Sequence, residues 1–134
     1  RYEQVVSFVQ SEIDAQGLWI HRKHEALAKH FGAEPGAVDH AQKHVKRAIQ
    51  SVAVELRGSG TFLLGERFSA ADIVFVHCLN WSKAIGWSSW IEEDASAEVA
   101  HLREYLQRCT EREGFQRAGA IRDREQSAQA STLP

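Results

Sequence analysis

Two histidine pairs have the spacing that most directly suggests chemistry. The 134-residue chain contains 7 histidines, and His21 and His24 lie at i, i+3 while His40 and His44 lie at i, i+4. On a helix, such spacings place two imidazoles side by side, where they can bind zinc. Neither pair has a His-Glu-x-x-His pattern or an evident third ligand, and several cations surround the second pair. We therefore predict no metal site and interpret both pairs as solvent-exposed helix residues.

The cysteines suggest little reactivity. Cys78 follows His77 in an apolar stretch, and no neighbouring residue would orient or activate its thiol. We predict a buried, satisfied His77 and an unreactive Cys78. With Cys109, the chain has 2 cysteines, too few for a disulfide framework. This number is typical of a reducing compartment and predicts a cytoplasmic protein.

Four residues are candidates for contact with a ligand. Asp14, Leu18 and His21 follow i, i+4, i+7 spacing, so a regular helix would place them on one face. That face either lines a pocket or is a solvated polar surface. Trp81 has a wide apolar ring and an N–H, which suit an aromatic ligand. Its helical spacing from Cys78 is equally typical of a core tryptophan, and the residues alone leave both alternatives open.

A capping box predicts the start of a central helix. Ser69 can cap the N–H of Asp72, while the Asp72 carboxylate reaches back to the N–H of Ser69. Phe68 and Ile73 flank the pair at the positions of a hydrophobic staple. We predict a largely buried helix from Ser69 to about Ile85, and a structural role for all four residues.

Apolar periodicity predicts helices in the rest of the chain as well. A first helix is expected over residues 2–31 with a bend or break at Gly17, a second over 37–56 and a later one over 96–112. The apolar positions predicted to be buried are Val38, Ala41, Val45, Ala48, Val52 and Leu56 in the second helix, and Val99, Leu102, Leu106 and Cys109 in the later one. A short helix is expected after Gly114, and residues 122–134 form a polar tail. Trp87 and Trp90 either pack at an interface between domains or belong to the core. The prediction is an all-α bundle of five to six helices over residues 1–121.

Composition excludes several functional classes. Hydrophobic residues make up 43% and charged residues 25% of the chain, and the net charge is −2. These values are typical of one globular domain and, without a basic patch, argue against nucleic-acid binding. No apolar run approaches the ~20 residues that span a membrane. The chain begins at Arg1 and lacks methionine, so we expect it to be part of a longer protein.

The capping-box segment resembles the C-terminal helical domain of glutathione transferases, especially bacterial ones. That family has a Gly-x-x-Phe-Ser/Thr-x-Ala-Asp pattern at the start of its central helix, matched here by Gly65, Phe68, Ser69, Ala71 and Asp72. A later segment is similar to the family's last long helix and following turn, through Tyr105, Leu106, Arg108, Glu111, Arg112, Phe115 and Ala118. Residues 5–13 resemble the first helix of this domain, so the resemblance spans nearly the whole chain.

The resemblance implies a detoxifying enzyme that transfers glutathione to a small hydrophobic electrophile. A preceding thioredoxin-like domain would activate the thiol and bind most of the glutathione, so no catalytic residue is expected in this chain. The helical domain would shape the electrophile pocket with Asp14, Leu18, His21 and Trp81 and contribute to a homodimer interface. Asp14 stands where some bacterial members have histidine, which argues against direct glutathione contact from this helix.

A non-catalytic function is the alternative. Similar helical domains serve as protein–protein interaction modules in translation factors and synthetase complexes. If the chain belongs to an enzyme, we expect an open cleft beside Trp81 and Asp14. If it is an assembly module, we expect this face to be packed shut or charged.

Overall fold

Residues 1–130, the part of the chain that this computed structural model describes, contain seven helices joined by short loops, and the predicted all-α fold is confirmed. They are α1 (residues 2–26), α2 (Ala28–Phe31), α3 (Pro35–Ser59), α4 (Ala70–Ala84), α5 (Trp90–Glu93), α6 (Ala97–Thr110) and α7 (Glu113–Ala130). None of the helices in this range has the length and apolar character needed to cross a membrane.

The first helix, α1, is continuous through Gly17, where the sequence predicted a bend or break. Its departure from regularity is a wider helical winding: Val9–Leu18 and Arg22–Ala26 are π-helical, and Trp19–His21 between them is α-helical. Gly17 is buried against α3, and a methyl group at this position would overlap Cγ2 of Val45. The glycine therefore allows two helices to approach closely.

The second long helix, α3, follows its predicted pattern. Pro35 occupies the first turn, where its missing N–H costs no helical hydrogen bond. The six apolar positions identified from the sequence are all buried: Val38, Ala41, Val45, Ala48, Val52 and Leu56. The helix ends at Gly60, whose φ of 110° lies in the left-handed region that favours glycine. This buried face packs on α1 and α6.

The central helix, α4, begins with the predicted capping box, and both of its halves are formed. The Asp72 side chain is fully buried. Its Oδ2 accepts hydrogen bonds from the N–H and the hydroxyl of Ser69, at 2.8 and 2.9 Å. Its Oδ1 accepts two more, from the N–H of Leu63 and the hydroxyl of Tyr105, both at 3.0 Å. One carboxylate thus joins the start of α4 to the preceding loop and to α6.

The hydrophobic staple contributes less than the sequence suggested. Ile73 is 59% exposed, so it buries little surface against Phe68. The Phe68 ring instead packs edge-on against Phe62, with ring centroids 5.5 Å apart. The hydrogen bonds of Asp72, rather than the staple, are therefore the main contacts that hold the start of α4 in place.

The last two helices differ from the sequence-based expectation in detail. In α6, Val99, Leu102 and Cys109 are buried as predicted, but Tyr105 is fully buried where Leu106 was expected and Leu106 is half-buried. The hydrogen bond from Tyr105 to Asp72 accounts for this choice. α7 continues as helix through much of the predicted polar tail, to Ala130. Residues 131–134 lie outside the described range.

Candidate functional site

The four candidate ligand-contacting residues divide into two groups. Leu18 is fully buried and His21 is 9% exposed, so both lie in the core. Asp14 and Trp81 are half-buried and lie where α1 meets α4. The π-helical winding of Val9–Leu18 changes the angle between successive side chains, which is why the i, i+4, i+7 spacing does not give one common face here.

His21 has a packing role in this chain, so the interpretation of its pair as solvent-exposed helix residues is wrong for this histidine. Its ring meets Trp87 edge-on with centroids 5.1 Å apart. Its Nε2 lies 3.8 Å from Oε2 of Glu25, one turn later on the same helix. Trp87 itself is 7% exposed and belongs to the core. Trp90 is half-buried and carries Nζ of Lys46 5.2 Å from its ring centroid.

Trp81 belongs to an aromatic cluster, which we define as Trp19, His77 and Trp81. The Trp19 and Trp81 rings meet edge-on, with centroids 6.2 Å apart. The His77 ring lies 6.1 Å from Trp81. Trp19 is 40% exposed and His77 is also exposed. This cluster therefore presents aromatic surface to solvent on the flank formed by α1 and α4.

The sequence did not identify Trp19 as part of this site. Nothing near Trp19 in the sequence signals this role, because the partner ring lies 62 positions further along the chain at Trp81. Arg22 covers part of the ring, with its guanidinium carbon 5.1 Å from the Trp19 centroid. A planar arginine above an indole is a cation–π contact that holds the ring in place.

Asp14 is the acidic group beside the cluster. Burial raises the pKa of its carboxyl above the ordinary value, and the neighbouring His77 partly opposes that shift. Among residues 1–130, its buried Oδ1 has no hydrogen-bond partner. A carboxylate that is partly desolvated and incompletely paired is costly to the fold, and such groups are common at functional sites.

Of the neighbouring residues His77 and Cys78, only Cys78 has the burial that the sequence predicted. Cys78 is buried, and burial together with the Asp14 charge raises the pKa of its thiol to about 12. The predicted burial of Cys78 is confirmed, and the raised pKa of its thiol disfavours the thiolate, which is the reactive form. The prediction of a buried His77 is wrong: its side chain faces solvent beside Trp81.

A groove lies between α4 and α7, and we call it the α4–α7 groove. It has a volume of about 820 Å³. Its apolar surface includes Phe68, Ile73 and Phe115, and its polar lining includes Lys83 and Arg112. His77 also lines it, so the groove adjoins the aromatic cluster.

A second groove runs between α1 and α3 on another side of the molecule. Its volume is about 680 Å³, and Phe8, Val52 and Leu56 supply apolar lining. Arg1 and Glu55 lie on its rim, with Nη2 and Oε2 3.9 Å apart. Both side chains are well exposed, so this ion pair contributes little to stability.

The histidine pairs form no metal site in the described range. No group of three or more His, Cys, Asp or Glu side chains within residues 1–130 is arranged to hold a metal ion. His44 lies instead near Glu12, with Nε2 and Oε2 3.1 Å apart across the contact between α3 and α1.

One comparison with known proteins gives a family. Residues 35–108, just over half of the chain, match the family model described as "Glutathione S-transferase, C-terminal domain". The matched range runs from the start of α3 into the last turn of α6, and so includes the capping box and Trp81. No curated protein and no solved structure matches the chain.

Proposed function

This chain belongs to the family of glutathione S-transferase C-terminal domains, and from that premise we propose that it forms the electrophile-binding wall of a glutathione transferase. The family implies glutathione as the substrate and a thioredoxin-like domain as the partner. In the proposed reaction, the glutathione thiolate attacks an electrophilic carbon and forms a C–S bond. The leaving group, such as a halide, departs with the electrons of the broken bond. The partner domain would bind most of the glutathione and lower the pKa of its thiol.

The exposed aromatic cluster is the observation that carries this proposal. An interaction module with this flank packed shut would bury the rings beside Trp81, whereas Trp19 is 40% exposed and meets Trp81 edge-on. Indole faces at this angle offer two walls to a planar aromatic substrate. Asp14 and His77 supply the few polar groups that orient a ligand in a largely apolar site.

The four predicted pocket residues have different parts in this proposal. Trp81 and Asp14 would face the electrophile. Leu18 and His21 would not contact the electrophile but would pack beneath the residues that do, since both are buried in the core. Trp19 and His77 join the wall as additional residues. Cys78, with a thiol pKa of about 12, has no part in the chemistry.

A kinetic comparison of two tryptophan variants tests the proposal. It uses a protein that joins this chain to a thioredoxin-like domain, and a chromogenic aryl halide as the electrophile. We expect Trp81→Ala to raise KM for the aryl halide about tenfold, equivalent to ~1.4 kcal/mol of lost binding, with KM for glutathione nearly unchanged. Trp90→Ala is the matched control, because Trp90 is also half-buried but lies against Lys46.

Two outcomes would contradict the proposed wall. One is an equal effect of Trp81→Ala on both substrates together with a loss of stability, which would make Trp81 a core residue. The other is the same rise in KM from Trp90→Ala, which would make the effect general rather than local.

We also propose that the chain contributes to a homodimer interface through α1 and α3. Tyr2, Phe8 and Val54 on these two helices are 46%, 37% and 62% exposed. A second copy of the chain would cover this apolar surface. We expect Val54→Glu to weaken the dimer measured by analytical ultracentrifugation, while Ile121→Glu, at a residue 48% exposed on α7, leaves it intact. The reverse pattern would assign the interface to α7.

One further feature supports the cellular setting of the proposed enzyme. Cys78 and Cys109 are unpaired and buried, which supports a cytoplasmic location. Detoxification is the process that conjugation of a hydrophobic electrophile would serve.

A further inference from the structure

Arg22 adds one cation to the aromatic cluster. Its guanidinium carbon lies 5.1 Å from the centroid of the Trp19 ring, and that ring meets Trp81 edge-on. Trp19 remains 40% exposed beside this contact. A planar ligand that packs on the two indoles would therefore lie beside a positive charge.

The charge of Arg22 has no partner in the fold. The side chain is exposed, and no carboxylate of residues 1–130 forms an ion pair with it. Glu25, three positions later on α1, lies instead beside His21, with Oε2 and Nε2 3.8 Å apart. An unpaired guanidinium can bind an acidic group through two parallel hydrogen bonds.

Stacking on Trp19 prepares Arg22 for such a partner. A free arginine side chain loses conformational freedom when it binds an anion. Contact with the indole already restricts that freedom, so less of it remains to be lost. The stacked guanidinium is therefore a better anion site than an isolated surface arginine.

The charges along α1 give the aromatic cluster a direction. Asp14 lies five positions before Trp19, and Arg22 lies three positions after it. Asp14 is half-buried and is attracted by His77 on α4, whereas Arg22 is exposed. Lys83, also on α4, lines the α4–α7 groove. An acidic substituent on a bound ring would be attracted by Arg22 and repelled by Asp14, which favours one orientation of the ring.

We propose that Arg22 makes the electrophile wall selective for aryl halides whose ring carries an acidic substituent, namely a carboxylate or a sulfonate. This inference rests on the proposed function and names the substrate class of its wall. Trp19 and Trp81 contact the ring, and Arg22 binds the substituent. The thiolate sulfur bonds to the ring carbon, the halide leaves with the electrons of the broken bond, and the acidic group is unchanged.

Two unreactive ring analogues test the charge selectivity on the chain itself. 3,5-Dinitrobenzoate and 3,5-dinitrobenzamide differ in the charge of one substituent, and neither has a halide to lose. The indole N–H signal of Trp19 in ¹⁵N NMR follows the binding of each. We expect the benzoate to bind about fivefold more tightly, with a difference that shrinks as salt rises. Equal affinity would overturn the proposal, and so would a Trp19 signal that the benzoate does not shift.

Matched charge removals test the assignment to Arg22. Arg22→Gln and Lys23→Gln lose the same charge at neighbouring exposed positions of α1, but only Arg22 lies over the Trp19 ring. We expect Arg22→Gln to reduce the preference for the benzoate about fivefold, while Lys23→Gln retains it. Arg22→Lys should retain part of it, because the charge remains without the planar fork. Equal effects of the two glutamine variants would overturn the assignment.

Turnover separates this inference from the proposed function. In the two-domain protein, we expect Arg22→Gln to lower kcat/KM about fivefold for 4-chloro-3,5-dinitrobenzoate and less than about twofold for 4-chloro-3,5-dinitrobenzamide. Turnover of both compounds at an unchanged ratio would overturn the role of Arg22 and leave the proposed function standing. Selective benzoate binding by the chain, without turnover of either compound, would overturn the proposed function while the binding selectivity of Arg22 stands.

Discussion

Asp72 illustrates how one buried carboxylate can organise a helical domain. It accepts four hydrogen bonds, two from Ser69, one from Leu63 and one from Tyr105, and has no exposed surface. The donors come from the start of α4, from the preceding loop and from α6. Removing the acceptor would leave several buried donors unsatisfied, which costs more than the loss of a surface cap.

We predict that Asp72→Ala lowers the free energy of unfolding by about 3 kcal/mol. Urea denaturation followed by circular dichroism measures this loss as a lower midpoint at an unchanged slope. Asp39→Ala is the control, because Asp39 is an exposed partner of Lys43 on α3, and it should change stability by less than ~0.5 kcal/mol. Similar losses in the two variants would show that Asp72 does not hold the helix start.

In contrast to Asp72, the charged carboxylate of Asp14 is expected to lower the stability of the fold. Burial raises its folded-state pKa, so the native state binds a proton more readily than the unfolded chain does. The charged form is therefore unfavourable to folding at neutral pH, and this disadvantage disappears as the pH falls through the folded pKa and below the ordinary value of 3.8.

We predict that Asp14→Asn raises the urea midpoint at pH 7, because the variant removes a partly desolvated charge. The advantage over the unsubstituted chain should shrink as the pH is lowered through the folded-state pKa toward the ordinary value of 3.8. Asp123→Asn on the exposed α7 serves as the control and should show no such trend. A lower midpoint for Asp14→Asn at pH 7 would mean that the attraction to His77 outweighs the cost of burial.

At the level of helices, local patterns predicted most of the architecture. The buried face of α3 and the capping box of α4 are encoded within short stretches of sequence, and both are confirmed. These features depend on neighbours three or four positions away, which the sequence displays directly.

Features that depend on distant partners were not predictable in the same way. Tyr105 is buried because Asp72, 33 positions earlier, accepts a hydrogen bond from its hydroxyl. The π-helical winding of α1 moved Leu18 and His21 into the core. Trp19 belongs to the aromatic cluster because its ring contacts that of Trp81 on another helix. Half of the predicted pocket residues therefore lie beneath the flank rather than on it.

Gly17 gives a helix-level prediction that opposes intrinsic propensity. In an exposed helix, Gly→Ala stabilises by about 1 kcal/mol. Here the new methyl would overlap Val45, so we predict that Gly17→Ala destabilises the chain by about 1–3 kcal/mol. Thermal unfolding measures the loss. Gly36→Ala is the control and should be neutral or stabilising, because an added methyl there would meet no described atom within 4 Å beyond its chain neighbours and the adjacent backbone of its own helix.

A companion variant separates steric overlap from other causes. Combining Gly17→Ala with Val45→Ala frees the space that the methyl needs, so its effect in that background should be smaller. An equally large effect of Gly17→Ala in both backgrounds would contradict close packing of α1 on α3 as the reason for the glycine.

At the level of the whole molecule, the proposed function divides one reaction between two domains. Thiol chemistry needs a group that holds glutathione as the thiolate and anchors that aim its sulfur. The two cysteines of this chain have raised thiol pKa values of about 12 and about 11, and we assign neither a chemical role. In the proposed division, this chain would supply the surface that binds the electrophile.

We therefore predict that residues 1–134 alone do not conjugate glutathione to a chromogenic aryl halide above the uncatalysed rate. The same assay on a protein that includes the thioredoxin-like domain should show turnover. Circular dichroism on the isolated chain confirms that the sample is helical before activity is measured. Turnover by the isolated chain near the rate of the two-domain protein would locate the chemistry here instead.

The most direct measurement of the electrophile wall uses the indole N–H signals of the 4 tryptophans. Two-dimensional ¹⁵N NMR gives each indole a separate signal, which single Trp→Phe variants assign. During titration with a dinitrophenyl ligand, the account predicts that the Trp19 and Trp81 signals shift together with one binding curve. The signals of Trp87 in the core and Trp90 beside Lys46 should stay in place. Shifts at Trp87 or Trp90 with silent Trp19 and Trp81 would contradict the assignment of the wall.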